Sequence, residues 1–262
     1  MTRAALATML IVMCSMGTPA SLAQAEPLEP FIDAALAAHG GAQALAGDAT
    51  VVITGKATMQ FGPASVEGDL IRTRAGSDRV RTVVRASFRG SLTESISALD
   101  GTRAWSSRMG RTVDLPPTNM KIDLAHDLDI IARAAAPGAK VSDLGETISG
   151  ERTLRRIELD EAGQTTRLLF DPGTHLLAEM EYRAVQNEGM GESKEVATRK
   201  VYGDYRTVSG APYPHTLTQF RDGVQSLHLV VTSVERGAKV DGALFQKPEE
   251  EDERMFREEF AN

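Results

Sequence analysis

Any metal or acid–base chemistry in this chain would start from its five histidines, His39, His126, His175, His215 and His228. None belongs to a His-Glu-x-x-His pair or to another tight metal-ligand spacing. His126 has the best surroundings. On a helix it lies three residues from both Asp123 and Asp129, and a carboxylate–imidazole cluster of that kind can bind a metal. The same spacing describes a solvated helix face with a local ion pair, and that is the reading adopted. Asp127 and Asp129 are two apart, so on a helix they point away from each other and are poorly placed for shared acid–base work. No Gly-x-Ser-x-Gly elbow is present. Cys14 is the only cysteine, and it falls in an N-terminal leader, so a mature chain has no thiol nucleophile. Gly189-Met190-Gly191 is too short to cradle a phosphate and follows no strand-to-helix pattern. The expectation is a non-enzymatic protein with no catalytic residue, no metal and no cofactor.

The leader covers residues 1–25. Arg3 is followed by an apolar run, then small and polar residues, and Ala23-Gln24-Ala25 places cleavage before Glu26. A bulky Met13 before Cys14 fits lipidation poorly. Loss of Arg3 takes the formal charge from −7 to −8. An acidic chain lacks the clustered cations that nucleic-acid binding needs. An exported chain without cysteine depends on its core rather than on disulfides.

The rest of the chain must supply that core. Residues 30–41 read as a short amphipathic helix with Phe31, Ile32, Ala35, Leu36 and His39 on one face, closed by Gly40-Gly41. From Val51 the period changes to two. Val51, Ile53, Gly55, Ala57 and Met59 alternate with polar neighbours, as do Val80, Thr82, Val84 and Ala86. Turn signals then recur at Asp100-Gly101, residues 160–163, Asp171-Pro172-Gly173 and Asp222-Gly223, so the strands form an antiparallel meander. In residues 201–223 the spacing predicts a strand, a corner from Gly210 to Pro214, and a return strand. Residues 119–135 have helical spacing, with Asp123, Asp127 and Asp129 toward the polar side. Residues 187–195 read as a polar loop. Arg79, Arg81, Arg85 and Arg89 read as a solvated outer face, with binding of anionic headgroups or an acidic partner as the sharper alternative. His39 and His215 suit capping or packing at turns, and His228 faces away from Leu227 and Leu229.

A sheet of about ten strands curls and needs a cover for its concave face. The fold class expected is mainly β with α: a single curled antiparallel sheet, a half-open barrel, with an N-terminal helix and an inserted central helix over an apolar concave face. Residues 26–248 would form that domain and 249–262 a charged tail.

Several local markers share an order with one family. They are residues 38–41, Asp100-Gly101 before Trp105, Phe170-Asp171-Pro172, Tyr202-Gly203-Asp204-Tyr205-Arg206, Tyr213-Pro214, and residues 240–245 before Pro248. Over nearly the whole mature chain this order resembles the LolA/LolB-like superfamily of periplasmic outer-membrane lipoprotein-sorting proteins, the lipoprotein carriers. The resemblance implies a periplasmic, non-enzymatic carrier for lipid or lipoprotein acyl chains, with an inner- or outer-membrane partner protein. An envelope sensor or interaction domain on the same fold, binding a protein partner, is the alternative. The chain is expected to be a monomer that binds no nucleic acid.

With only 5% aromatic residues, bulky fillers for a large curled sheet are scarce. An aliphatic cavity can stay dry and accept an apolar ligand. The expected lining is Ile53, Met59, Leu70, Val84, Trp105, Leu124, Leu128, Ile131, Leu168, Met180, Tyr182, Leu227 and Leu229.

Overall fold

The computed structural model describes residues 26–45, 50–62, 64–88, 90–188 and 192–248. The leader, Arg89, the Gly189-Met190-Gly191 stretch and the tail at 249–262 lie outside the described residues.

Two helices come first, α1 (Leu28–Ala38) and α2 (Gly41–Leu45). Six strands follow: β1 (Val51–Phe61), β2 (Ala64–Ala75), β3 (Arg79–Phe88), β4 (Ser91–Asp100), β5 (Arg103–Arg108) and β6 (Arg111–Leu115). Helices α3 (Thr118–Ala125) and α4 (Ile130–Ala134) interrupt the series. Then come β7 (Lys140–Ser149), β8 (Arg152–Glu161), β9 (Gln164–Phe170), β10 (Leu177–Glu188), β11 (Glu192–Val208), β12 (Ala211–Arg221) and β13 (Val224–Arg236), ending in a 3-10 turn at Gly242–Phe245. All strands join one 13-stranded sheet in the order β6-β5-β4-β3-β2-β1-β13-β12-β11-β10-β9-β8-β7. Every ladder is antiparallel, and β6 and β7 are its two free edges, so the barrel stays half open. The curled sheet with helical covers is the architecture expected from the period-two pattern.

Helices α1 and α4 fill one half of the concave face. Phe31, Ile32, Ile130 and Ile131 pack on Ile157, Leu159, Leu168, Phe170, Met180 and Tyr182 from β8, β9 and β10. His39 fixes the end of α1: its Nδ1–H donates to the Ala35 carbonyl at 2.7 Å, and its Nε2 accepts from the Leu177 amide at 3.2 Å. The other half, under β1, β2 and β13, has a smaller cluster of Ala57, Leu70, Leu229 and Val231. At Gly55 the β1–β13 register shifts, and a Cβ there would lie 2.5 Å from the Val230 carbonyl oxygen. A bulge at a residue with no side chain lets the sheet bend sharply between its halves.

Four details differ from the sequence reading. The sheet has 13 strands rather than about ten, and one of those that the sequence pattern does not reveal is β7. It is an edge strand, largely exposed, with a register shift at Gly145 that disrupts its alternation. Residues 187–188 and 192–195 are strand rather than loop, because the β10–β11 ladder extends to the pair Glu188 and Glu192. The 119–135 segment is two helices, broken at residues 126–129, where the Asp127 carboxylate takes the Leu128 amide at 2.8 Å.

The fourth difference lies in residues 201–223. Val208 pairs directly with Ala211, so the chain makes a two-residue hairpin rather than a wide corner. Ser209 and Gly210 have φ of 50° and 82°, the pair of positive values that a primed hairpin turn requires. Pro212 and Pro214 are tolerated inside β12 because the β12–β13 ladder begins only at Thr216. No heavy atom lies within 4 Å of a Cβ built at Gly210, so the cost of Gly210→Ala is conformational alone. The variant should lose about 1 kcal/mol in urea denaturation, with its circular dichroism unchanged.

Candidate functional site

The half of the concave face that the helices leave unfilled is a groove of about 360 Å³. Its walls come from the inward positions of β1, β2, β3, β12 and β13: Ile53 and Met59, Leu70, Val84, Leu217, Leu227 and Leu229. Leu217, Leu229 and Ala57 lie in one row across three strands, and Gln219, Leu227 and Met59 form the next row toward the hairpin turns.

Charged groups form the floor. The inward register of β2 passes from Leu70 to Arg72 and Arg74, and that of β11 brings in Lys200 between Thr198 and Tyr202. Arg72 donates to Asp123 of α3 at 2.7 Å and to Asp127 at 3.4 Å. Arg74 reaches Asp129 at 2.7 Å and Asp127 at 3.7 Å. Lys200 donates to Asp123 at 2.9 Å and to the His126 carbonyl at 2.8 Å. Burial by itself would raise the Asp123 carboxyl, but Lys200 and Arg72 hold it far below the usual carboxylate range. Burial would likewise lower Lys200, and Asp123, Tyr182 and Asp127 together more than reverse that. The three carboxylates therefore tie the bend between α3 and α4 to the sheet, and the solvated helix face read from the sequence is corrected. Asp127 and Asp129 do not point apart, because both lie in the break between the helices and converge on Arg74.

His126 is not grouped with these carboxylates. Its ring stacks on Tyr182 at 3.7 Å between centroids, its Nδ1–H donates to the Ile122 carbonyl at 2.7 Å, and its Nε2 accepts the Thr166 hydroxyl at 3.0 Å. Burial pushes its pKa down to about 4, against the pull of the Ile122 bond, and Lys200 adds to the fall. Among the described residues there is no cluster of three or more His, Cys, Asp or Glu suited to a metal.

The expected lining divides in three. Ile53, Met59, Leu70, Val84, Leu128, Leu227 and Leu229 line the groove. Ile131, Leu168, Met180 and Tyr182 lie in the packed core beneath the helices, and Leu124 packs on Val80, Leu99 and Ala104. Trp105 is on the convex face: its neighbour Ala104 faces α3, while its own Nε1–H donates to the Phe245 carbonyl at 2.8 Å, under the turn at Gly242–Phe245. A single tryptophan with alternating neighbours gives no sign of which face it takes until the covering segment is known.

No family model and no curated protein matches the sequence. Solved structures match its shape. A domain from Vibrio parahaemolyticus assigned to outer membrane lipoprotein sorting aligns at a TM-score of 0.52 and 11% identity, over 82% of this chain and 95% of that one. A LolA superfamily protein from Nitrosomonas europaea aligns at 0.50 and 10% identity, over 81% and 97%. The fold is that of the LolA superfamily. A DUF1329 family protein from Desulfovibrio piger shares it at a TM-score of 0.52 and 8% identity, over 84% and 98%.

In this LolA-type half-barrel the sequence reading missed the polar part of the groove. Arg72, Lys200, Tyr202, Tyr213, Gln219 and Arg221 all line it. A signal existed: Arg72 and Lys200 occupy strand positions whose parity points inward. A long cation at such a position needs a buried anion, and the acids of residues 123–129 were the nearest unplaced supply.

Proposed function

We propose that this protein is a non-enzymatic binding protein for the acyl chain of a lipid or lipoprotein, acting as a periplasmic carrier of the outer-membrane lipoprotein-sorting type. The observation that carries this reading is the aliphatic groove, left unfilled beside a helical cover that already packs the other half of the barrel. Its volume is at the lower end for ligand cavities and suits one chain rather than several. Each methylene buried there contributes about 0.8 kcal/mol, so a chain of about a dozen gains enough to outweigh the cost of ordering it. The converging polar groups at the floor are neutralised by one another, which suits a structural floor better than an acid–base pair. The fold and the leader-like residues 1–25 agree with an exported monomer that receives its cargo from one membrane component and passes it to another.

Protein purified without detergent from a lipid-rich host should show, by native mass spectrometry, an adduct of lipid mass that is lost on denaturation. Leu227→Gln, a half-buried change in the groove wall, should leave the fold intact and remove most of the adduct. A clean mass that stays clean after incubation with membrane lipids would overturn the reading.

A further inference from the structure

The two ends of the groove differ in charge balance. At the floor, the cations Arg72, Arg74 and Lys200 face the carboxylates Asp123, Asp127 and Asp129, and each cation is paired. At the mouth, Arg221 stands at the end of β12, two residues beyond Gln219 on the same inward parity, and it lines the groove together with Gln60. Arg221 enters no ion pair among the described residues, whereas the adjacent Asp222 is already held by Lys194 at 3.3 Å. The Ser226 hydroxyl beside it is taken by the Gln219 carbonyl at 3.2 Å. The mouth therefore presents one unpaired guanidinium and one amide at the rim of an aliphatic wall.

We propose that the groove selects a single-chain anionic amphiphile, with its acyl chain along the wall formed by Leu217, Leu227 and Leu229 and its oxyanion headgroup on Arg221 and Gln60. This rests on the reading of the groove as an acyl site and adds the polarity and the chemistry of the headgroup. The floor is the wrong end for an anion, because its cations are already neutralised and three carboxylates would repel the newcomer. The guanidinium fork matches a carboxylate or a phosphate monoester equally well, so a fatty acid and a phosphorylated single-chain lipid are the two sources of this chemistry.

The test is displacement of the neutral apolar dye N-phenyl-1-naphthylamine from the full protein at pH 8 and low salt. Competitors of equal chain length are dodecanoate, dodecyl phosphate, the neutral glycerol ester of dodecanoic acid, and dodecyltrimethylammonium. Both anions should compete about tenfold more tightly than the neutral ester, and the cation less well. Arg221→Gln should remove that preference while leaving the neutral ester within about twofold, and Arg221→Lys should keep part of it. The preference should shrink as salt is added, since Arg221 is exposed. A lead of dodecanoate over dodecyl phosphate identifies the fatty-acid source, and the reverse identifies the phosphate source. Equal competition by anionic and neutral probes, or a preference that survives Arg221→Gln, overturns the headgroup assignment and leaves the acyl groove standing. Failure of every probe, with dye uptake unchanged in Leu227→Gln, overturns the acyl groove as well.

Discussion

Lys200→Met should cost the protein about 3 kcal/mol, read as a lower denaturant midpoint at unchanged slope and a melting temperature lower by roughly 6–12 °C. Lys200 has a side chain only 6% exposed, and its ammonium is shared between Asp123 and the His126 carbonyl. Removing it leaves Asp123 with Arg72 alone and leaves that carbonyl without its donor. Breaking a buried pair from one side typically costs about 3–5 kcal/mol, and the lower end applies because the Asp123 side chain is 37% exposed and partly screened by water. The double variant Lys200→Met with Asp123→Asn restores the balance of cations and carboxylates in the cluster. It should recover at least half of the loss, because replacing both members of a buried pair is far cheaper than removing one. If the double variant is as unstable as the sum of its parts, the cluster is not a coupled unit and the bend between α3 and α4 is held by packing alone.

The same cluster marks where the sequence stopped being legible. Period-two alternation and turn residues were enough for a curled antiparallel sheet, since burial of one face constrains every second residue. The aliphatic wall followed from that alternation, which is why Ile53, Met59, Leu70, Val84, Leu227 and Leu229 could be named as candidates for it. Other features depend on contacts between distant segments. Helical spacing in residues 119–135 cannot show that Arg72, Arg74 and Lys200, about 50 to 80 positions away in the chain, draw the acids inward and break the helix at residues 126–129. The face taken by Trp105 depends on Phe245 at a separation of 140 residues. The mouth was hidden for a different reason: an arginine at the end of a strand looks like any surface arginine until the groove it borders is known.

Acid should destabilise this protein well before its carboxylates titrate. His126 is buried as the neutral base, with its pKa near 4 against 6.5 for the free side chain. Above pH 7 both folded and unfolded chains carry the neutral ring, so it contributes no pH dependence. As pH falls through 6.5 the unfolded chain binds a proton that the folded chain refuses, and stability drops with a slope approaching 1.4 kcal/mol per pH unit. His126 alone should account for about 2 kcal/mol lost by pH 5 and about 3 kcal/mol by pH 4. Burial lowers His39 in the same direction, against its Ala35 bond, and it adds to the loss in the same window. Asp123 and Asp127 are held below 3.8, so their contributions are lost only as pH falls below that value. Asp129 has the opposite sign: burial raises it above 3.8, so the folded chain takes up its proton first and offsets part of the histidines' loss at pH values above 3.8. The groups facing His126 divide: burial, Lys200 and Arg133 oppose an imidazolium and outweigh the Ile122 carbonyl and Asp123, which favour it, while Tyr182 stacks on the ring. Urea denaturation at pH 7.5, 6 and 5 measures the slope. His126→Gln should start less stable at pH 7.5, since the stack and the Thr166 bond are lost, yet show a flatter fall toward pH 5. A variant with the native slope would place the proton uptake elsewhere, and His39→Gln would then be the variant to carry the missing dependence.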